Sequence, residues 1–147
     1  MTPATAKTKK EVSVPKKAER YTEAVGRRKT SIARVRISHG KGAFVVNDKD
    51  LKHYFQLPIL ESCATSPFSK LKIEDNKFDV SAKVSGGGIH AQAEAVRLGL
   101  SRVLAIVNPD FQKRLHYFGF LTRDSRMVER KKYGLRKARR APQWQKR

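Results

Sequence analysis

Cysteine is almost missing from this sequence. Cys63 is the only one in 147 residues, so an intramolecular disulfide and a cysteine-rich zinc site are both excluded. A single thiol suits a reducing compartment. Set among Ser, Ala and Leu with no cationic neighbour in sequence, Cys63 reads as a small buried residue rather than a nucleophile. Long apolar runs are missing too: none approaches the ~18 residues of a membrane span. Residues 1–20 have no apolar h-region, which argues against a secretory signal, and their lysines with Glu11 and Glu19 argue against a transit peptide. No internal repeat of 20–50 residues is found. His39, His53, His90 and His116 are widely separated and no carboxylates pair in an apolar setting. Neither a metal site nor general acid–base catalysis therefore has a candidate, and no cofactor is expected.

Acidic residues are scarce. There are 13 against 33 Lys and Arg, a formal net charge of +20. A small chain so charged repels itself unless a polyanion is near; nucleic acid is the first partner to consider and an anionic membrane surface the second. The length allows one small domain with tails. Residues 1–20 hold six basic residues and no apolar period, and are expected to be disordered when free. Residues 122–147 hold eleven basic residues and two acidic ones. Between them, residues 21–121 carry the aliphatic periodicity and form the expected globular body.

Within the body, Tyr21 to Gly26 reads as a strand. Ser31 to Ile37 alternates, with Ile32, Val35 and Ile37 as the expected buried set after one slip, which calls for a bulge or twist. His39-Gly40-Lys41-Gly42 reads as a turn and Ala43 to Val46 as a strand, making 31–46 a hairpin. Asn47 or Asp48 is positioned to cap a short helix through Phe55, with Leu51, Tyr54 and Phe55 on one face. Leu57 to Ser66 contains Pro58 and ends before Pro67, and its helical content stays open. Lys77 to Ser85 alternates again, with Phe78, Val80, Ala82 and Val84 inward. After Ser85-Gly86-Gly87-Gly88, the residues Ile89, Ala93, Val96, Leu100, Val103 and Val107 follow a helical period, with Gln92, Glu94, Arg97 and Ser101 elsewhere and Glu94 within one turn of Arg97. Asn108-Pro109 restarts the chain, Phe111, Leu115 and Phe118 form a stripe, and Gly119 closes that helix. The expected fold is α+β: a small mixed four-stranded sheet with helices on one face and a long extended basic C-terminal tail.

Gly86-Gly87-Gly88-Ile89-His90-Ala91 matches the letters of a dinucleotide fingerprint ending in Ala, with Asp110 about 20 residues on. The context fails, because Asp110 follows Pro109 at a helix start and no second βαβ unit exists. A nicotinamide or flavin enzyme is set aside. Two readings stay open for the glycines: backbone N–H groups at a helix N-terminus that suit a phosphate, with His90 beside them, or a tight turn that needs positive φ.

Arg27, Arg28, Lys29, Arg34 and Arg36 put five positive charges between Gly26 and Ser38 with no acid among them. They read as a phosphate-binding stripe. In the tail, Arg123, Arg126, Arg130, Lys131, Lys132, Arg136, Lys137, Arg139, Arg140, Lys146 and Arg147 are interleaved with Tyr133 and Trp144, aromatics able to stack on bases. Gly134 and Pro142 interrupt any long helix. Fully extended, such a tail would reach at most about 90 Å.

Several motifs in register carry a resemblance. They are Ala24-Val25-Gly26-Arg27-Arg28-Lys29-Thr30, Val84-Ser85-Gly86-Gly87-Gly88, and Gln92-Ala93-Glu94-Ala95-Val96-Arg97-Leu98-Gly99. Further on come Gly119-Phe120-Leu121-Thr122-Arg123-Asp124, Arg126 to Lys132, Ala138-Arg139-Arg140-Ala141-Pro142-Gln143 and Lys146-Arg147. Across residues 21–147 the chain resembles the small-subunit ribosomal protein S-nine family, of the bacterial and organellar type. It departs from that family's usual residues at His90-Ala91, Tyr133 and Trp144-Gln145. The resemblance implies a structural, non-enzymatic component of the small subunit that binds ribosomal RNA in its head. By it, Arg123 to Arg140 line a path through RNA, and Lys146 and Arg147 meet peptidyl-site tRNA. Neighbouring head proteins are implied partners, in cytoplasmic or organellar ribosomes; no membrane and no homo-oligomer is expected. The rival reading is a general DNA-compacting basic protein.

Overall fold

The computed structural model describes residues 21–73 and 77–146. The expectation for residues 1–20 therefore lies outside the described residues, as does Arg147. The elements in chain order are β1 (Thr22–Arg28), β2 (Ser31–His39), β3 (Phe44–Val46), β4 (Lys49–Asp50), α1 (Leu51–Tyr54), α2 (Pro58–Leu71), β5 (Phe78–Ser85), α3 (Ile89–Val107) and α4 (Asp110–Tyr117). The class is α+β, as expected. The sheet is mixed, but it has five strands rather than four, in the order β1-β2-β5-β3-β4. The extra strand is β4, two residues that pair with β3 where a helix cap was expected. Asn47 and Asp48 cap nothing: both have positive φ (47° and 63°) and make the tight turn between β3 and β4.

The expected 31–46 hairpin does not form. β5 inserts between its two arms, antiparallel to β2 and parallel to β3. Asp79 directs this: its Oδ1 accepts the backbone N–H groups of Lys41, Gly42 and Ala43 at 2.8–2.9 Å, turning the loop away from β2 and onto β5. Alternation on β2 is unbroken and needs no bulge. Ser31, Ala33, Val35 and Ile37 face inward, while Ile32 points outward at 43% exposure. The small hydroxyl residue Ser31 takes the inward place because the glycine turn before α3 presses on it: a Cβ on Gly87 would come within 2.9 Å of the Ser31 Cβ.

The segment after Pro58 is helical through Pro67 to Leu71. Proline in a helix interior leaves the carbonyl four residues back without its N–H partner. That carbonyl belongs to Cys63, and the Ser66 hydroxyl donates to it at 2.8 Å. Lys72 ends the helix in the left-handed conformation, with Ile73 N–H donating to the Phe68 carbonyl at 3.2 Å.

α3 lies on the inward face of the sheet, chiefly over β1 and β2, and is the centre of the core. Val96, Leu100, Val103 and Leu104 are fully buried, as are Val35 on β2 and Leu115 on α4. Each such aliphatic side chain contributes roughly 1.5–3 kcal/mol on burial. The ends of the expected stripe, Ile89 and Val107, are 56% and 36% exposed, while Ser101 is buried, donating to the Arg97 carbonyl at 2.8 Å. At Gly26 the sheet and α3 touch backbone to backbone: a Cβ there would overlap the Ala95 carbonyl.

Candidate nucleic-acid interface

Strand alternation splits the basic stripe between the two faces of the sheet. Gly26 and Arg28 face α3; Glu23, Val25 and Arg27 face outward. Register then builds three rows on the outer face: Glu23–Arg36–Ser81, Val25–Arg34–Lys83 and Arg27–Ile32–Ser85. Arg27, Arg34 and Lys83 are exposed, with Arg34 and Lys83 side by side across β2 and β5. Lys83 was not among the expected contacts. The outward phase of the β5 alternation would have found it.

Acids reach this stripe from other strands, which the local sequence does not reveal. Glu23 on β1 accepts from Arg36 Nε at 2.6 Å and lies 3.6 Å from Arg34 Nε. This bond raises the Arg36 pKa, and the Arg36 guanidinium sits 4.7 Å from the Tyr21 ring centroid. Arg27, Lys29 and Lys83 have no acidic partner among the described residues.

Arg28 stands apart. Its side chain is only 12% exposed; Nε donates to Glu94, Nη2 lies 2.9 Å from Asp124 Oδ2, and Nη1 donates to the Arg126 carbonyl at 2.7 Å. Glu94 thus meets Arg28 across the sheet–helix interface and not Arg97 one turn away, as its spacing suggested. Arg97 turns elsewhere, 3.7 Å from Cys63 Sγ and 5.5 Å from the Phe120 ring centroid. Burial pushes the Cys63 thiol up, with Arg97 opposing it, which keeps the sulfur a poor nucleophile.

The glycine turn stands at the end of the same sheet. Gly86 and Gly87 have φ of 71° and 67°, so the positive-φ reading holds there. Gly88 precedes α3 with no side-chain cap, and the first helical bond runs from Gln92 N–H to the Gly88 carbonyl at 3.0 Å. The N–H groups of residues 89–91 are therefore left without intrahelical acceptors. Gln92 Nε2 steadies the turn through the Gly86 carbonyl at 3.1 Å, and Tyr54 donates to Gln92 Oε1 at 2.8 Å. His90 is exposed beside them.

None of the described residues 122–146 lies in a helix or strand, and most are exposed. Tyr133 and Trp144 are 97% and 77% exposed, open for stacking. Glu129 accepts from Arg139 Nε at 2.8 Å and closes a loop that brings Arg130, Lys131, Lys132, Arg136 and Lys137 together on one short stretch. Arg140 and Lys146 follow, exposed. Inside the loop Gly134 has φ 73° and Arg136 N–H donates to the Arg140 carbonyl at 2.8 Å. Among the described residues no group of three or more His, Cys, Asp or Glu could hold a metal ion.

The sequence that builds this surface has relatives among known proteins. A family model described as ribosomal protein S9/S16 matches residues 26–147, from the close-packed Gly26 to the end of the tail. The small ribosomal subunit protein uS9 of Cytophaga hutchinsonii is 52% identical over 124 residues, 84% of this chain and 96% of that protein. The protein of the same name from Amoebophilus asiaticus is 51% identical over the same shares.

Proposed function

This chain belongs to the ribosomal protein S9/S16 family, and from that premise we propose that it is a structural constituent of the small ribosomal subunit, with no catalytic role. One observation carries the reading: the family match runs unbroken from the folded body into a tail with eleven basic residues and two acids. In this reading the body anchors on small-subunit ribosomal RNA through the outer sheet face, using Arg27, Lys29, Arg34, Arg36 and Lys83. Behind the glycine turn, the first turn of α3 offers the N–H groups of residues 89–91 to a phosphate. Phosphate contacts of this kind fix position without reading sequence. The tail neutralises crowded RNA phosphates from Arg123 to Arg140 and reaches peptidyl-site tRNA with Lys146 and Arg147, while Tyr133 and Trp144 stack. Head proteins of the subunit are its neighbours, and the ribosome is its location.

A salt-washed sucrose gradient tests this. The chain is expected to stay stoichiometric with the small subunit when loosely held basic proteins are stripped, because each phosphate contact steepens the dependence on salt. Travel to the top of the gradient, or DNase-sensitive association, would give the DNA-compacting reading the lead. Deleting Lys146 and Arg147 should leave assembly intact and weaken peptidyl-site tRNA binding; unchanged tRNA affinity would remove the tail from that site.

A further inference from the structure

Four charges meet where the tail leaves the body, and they cancel. Arg28 ends β1, Glu94 lies on the second turn of α3, and Asp124 and Arg126 begin the tail. In a chain with 13 acids against 33 basic residues, two of those acids are committed to one neutral cluster. Arg28 presents its donors to a body carboxylate, a tail carboxylate and a tail carbonyl. A guanidinium so occupied and only 12% exposed offers no edge to a phosphate unless two carboxylates are first displaced. Arg27, its neighbour in sequence, is exposed on the opposite face.

The cluster also fixes a direction. Asp124 Oδ1 accepts the Arg126 backbone N–H at 2.9 Å, an Asx turn that sets the backbone course over residues 124–126. The Arg126 guanidinium closes back on the same carboxylate at 2.8–3.1 Å. Just upstream, Phe120 and Leu121 pack against the core and Arg97 covers the Phe120 ring.

We propose that Arg28, Glu94 and Asp124 form a positioning clamp that aims the basic tail before any RNA is met. The inference rests on the reading of the tail as a nucleic-acid-binding arm. Its consequence is that the arm leaves the body in one direction instead of searching as free coil, which lowers the ordering cost of binding. Arg28 acts through the tail, not on the phosphate.

The test has two parts. Backbone relaxation of the full chain without RNA is expected to give order parameters of about 0.8 at residues 122–126, falling below about 0.6 in Asp124→Asn and in Glu94→Gln. The shifts of α3 and β2 should stay in place. Values below about 0.6 in the parent, or no change in either variant, would overturn the clamp. Binding to a synthetic small-subunit head RNA fragment across a salt series then separates aiming from contact. Asp124→Asn is expected to lose several-fold in affinity with the salt slope unchanged. Arg28→Met should do the same, whereas a slope flattened by about 0.7–0.9 would make Arg28 a phosphate contact and refute its positioning role. Should the parent prefer a DNA duplex to the RNA fragment, the ribosomal reading fails by itself. The relaxation data would still decide the clamp.

Discussion

Asn47 and Val84 are joined twice: the Asn47 carboxamide accepts the Val84 N–H at 2.8 Å and donates to the Val84 carbonyl at 2.9 Å. The side chain imitates one more residue of β3 beside β5, at the point where the β3 backbone turns away. Asparagine also tolerates the φ of 47° found there.

Asn47→Ala should therefore destabilise the chain by about 1–3 kcal/mol, because two partly buried backbone groups lose their partners. Urea unfolding of the full chain checks this. An unchanged midpoint would mean that water replaces both bonds without cost.

Gly26→Ala is a harder test of the fold. The added methyl would meet the Ala95 carbonyl, a backbone atom in the middle of α3 that cannot swing aside. The expected cost is about 3 kcal/mol, the upper end for overpacking, read from the same denaturant curve. Gly99→Ala would bring its methyl to 2.7 Å from Val35 Cγ2 and 3.2 Å from the Gly26 backbone nitrogen, less tight than the contacts at Gly26, and should cost less.

Asp79 ties stability to pH. Its bond from the Ala43 N–H, reinforced by those from Lys41 and Gly42, holds the carboxyl below its usual value. A depressed folded value means that the stabilisation is complete above the unfolded value of about 3.9 and fades as pH falls through the folded one. Melting temperatures of the parent and Asp79→Asn should differ by a constant gap from pH 7 down to about 5, closing below about 4. A gap that persists in acid would show that the ionised carboxylate is not the source.

Removing Arg27, Arg34 or Lys83 should flatten the salt dependence of binding to a ribosomal RNA fragment by about 0.7–0.9 each, with little effect on folding. Arg36→Ala should do less, since Glu23 already neutralises it. Equal slopes for all four variants and the parent would take the outer sheet face out of the interface.

The elements that set their own period could be read from the sequence. α3 announces itself by aliphatic spacing, β5 by strict alternation, and the tail by charge density. Partnership could not be read in the same way. Alternation tells which side of β2 is buried, not that β5 lies beside it, and a serine in the inward phase at residue 31 shifted the expected buried set to Ile32. The stripe from Arg27 to Arg36 looked acid-free because its acids come from elsewhere. Glu23 is brought alongside by strand pairing, and Glu94 stands 66 residues from the arginine it holds. The outward set on the sheet follows from alternation, once Ser31 is placed inward, together with the register that pairs β1, β2 and β5.

The strand order carries a consequence for how the protein is made. β5 is the last strand in the chain, yet it is third of five in the sheet. Until residues 78–85 have been synthesised, β2 and β3 lack the strand that pairs with both of them, and the edges they present to β5 have no partner. Only when residues 78–85 arrive can the two halves be stitched into one sheet, and α3 must follow to cover it. Nascent chains stopped short of residue 85 therefore expose two sticky edges at once. The interval before β5 pairs is when the chain is most open to edge-to-edge association.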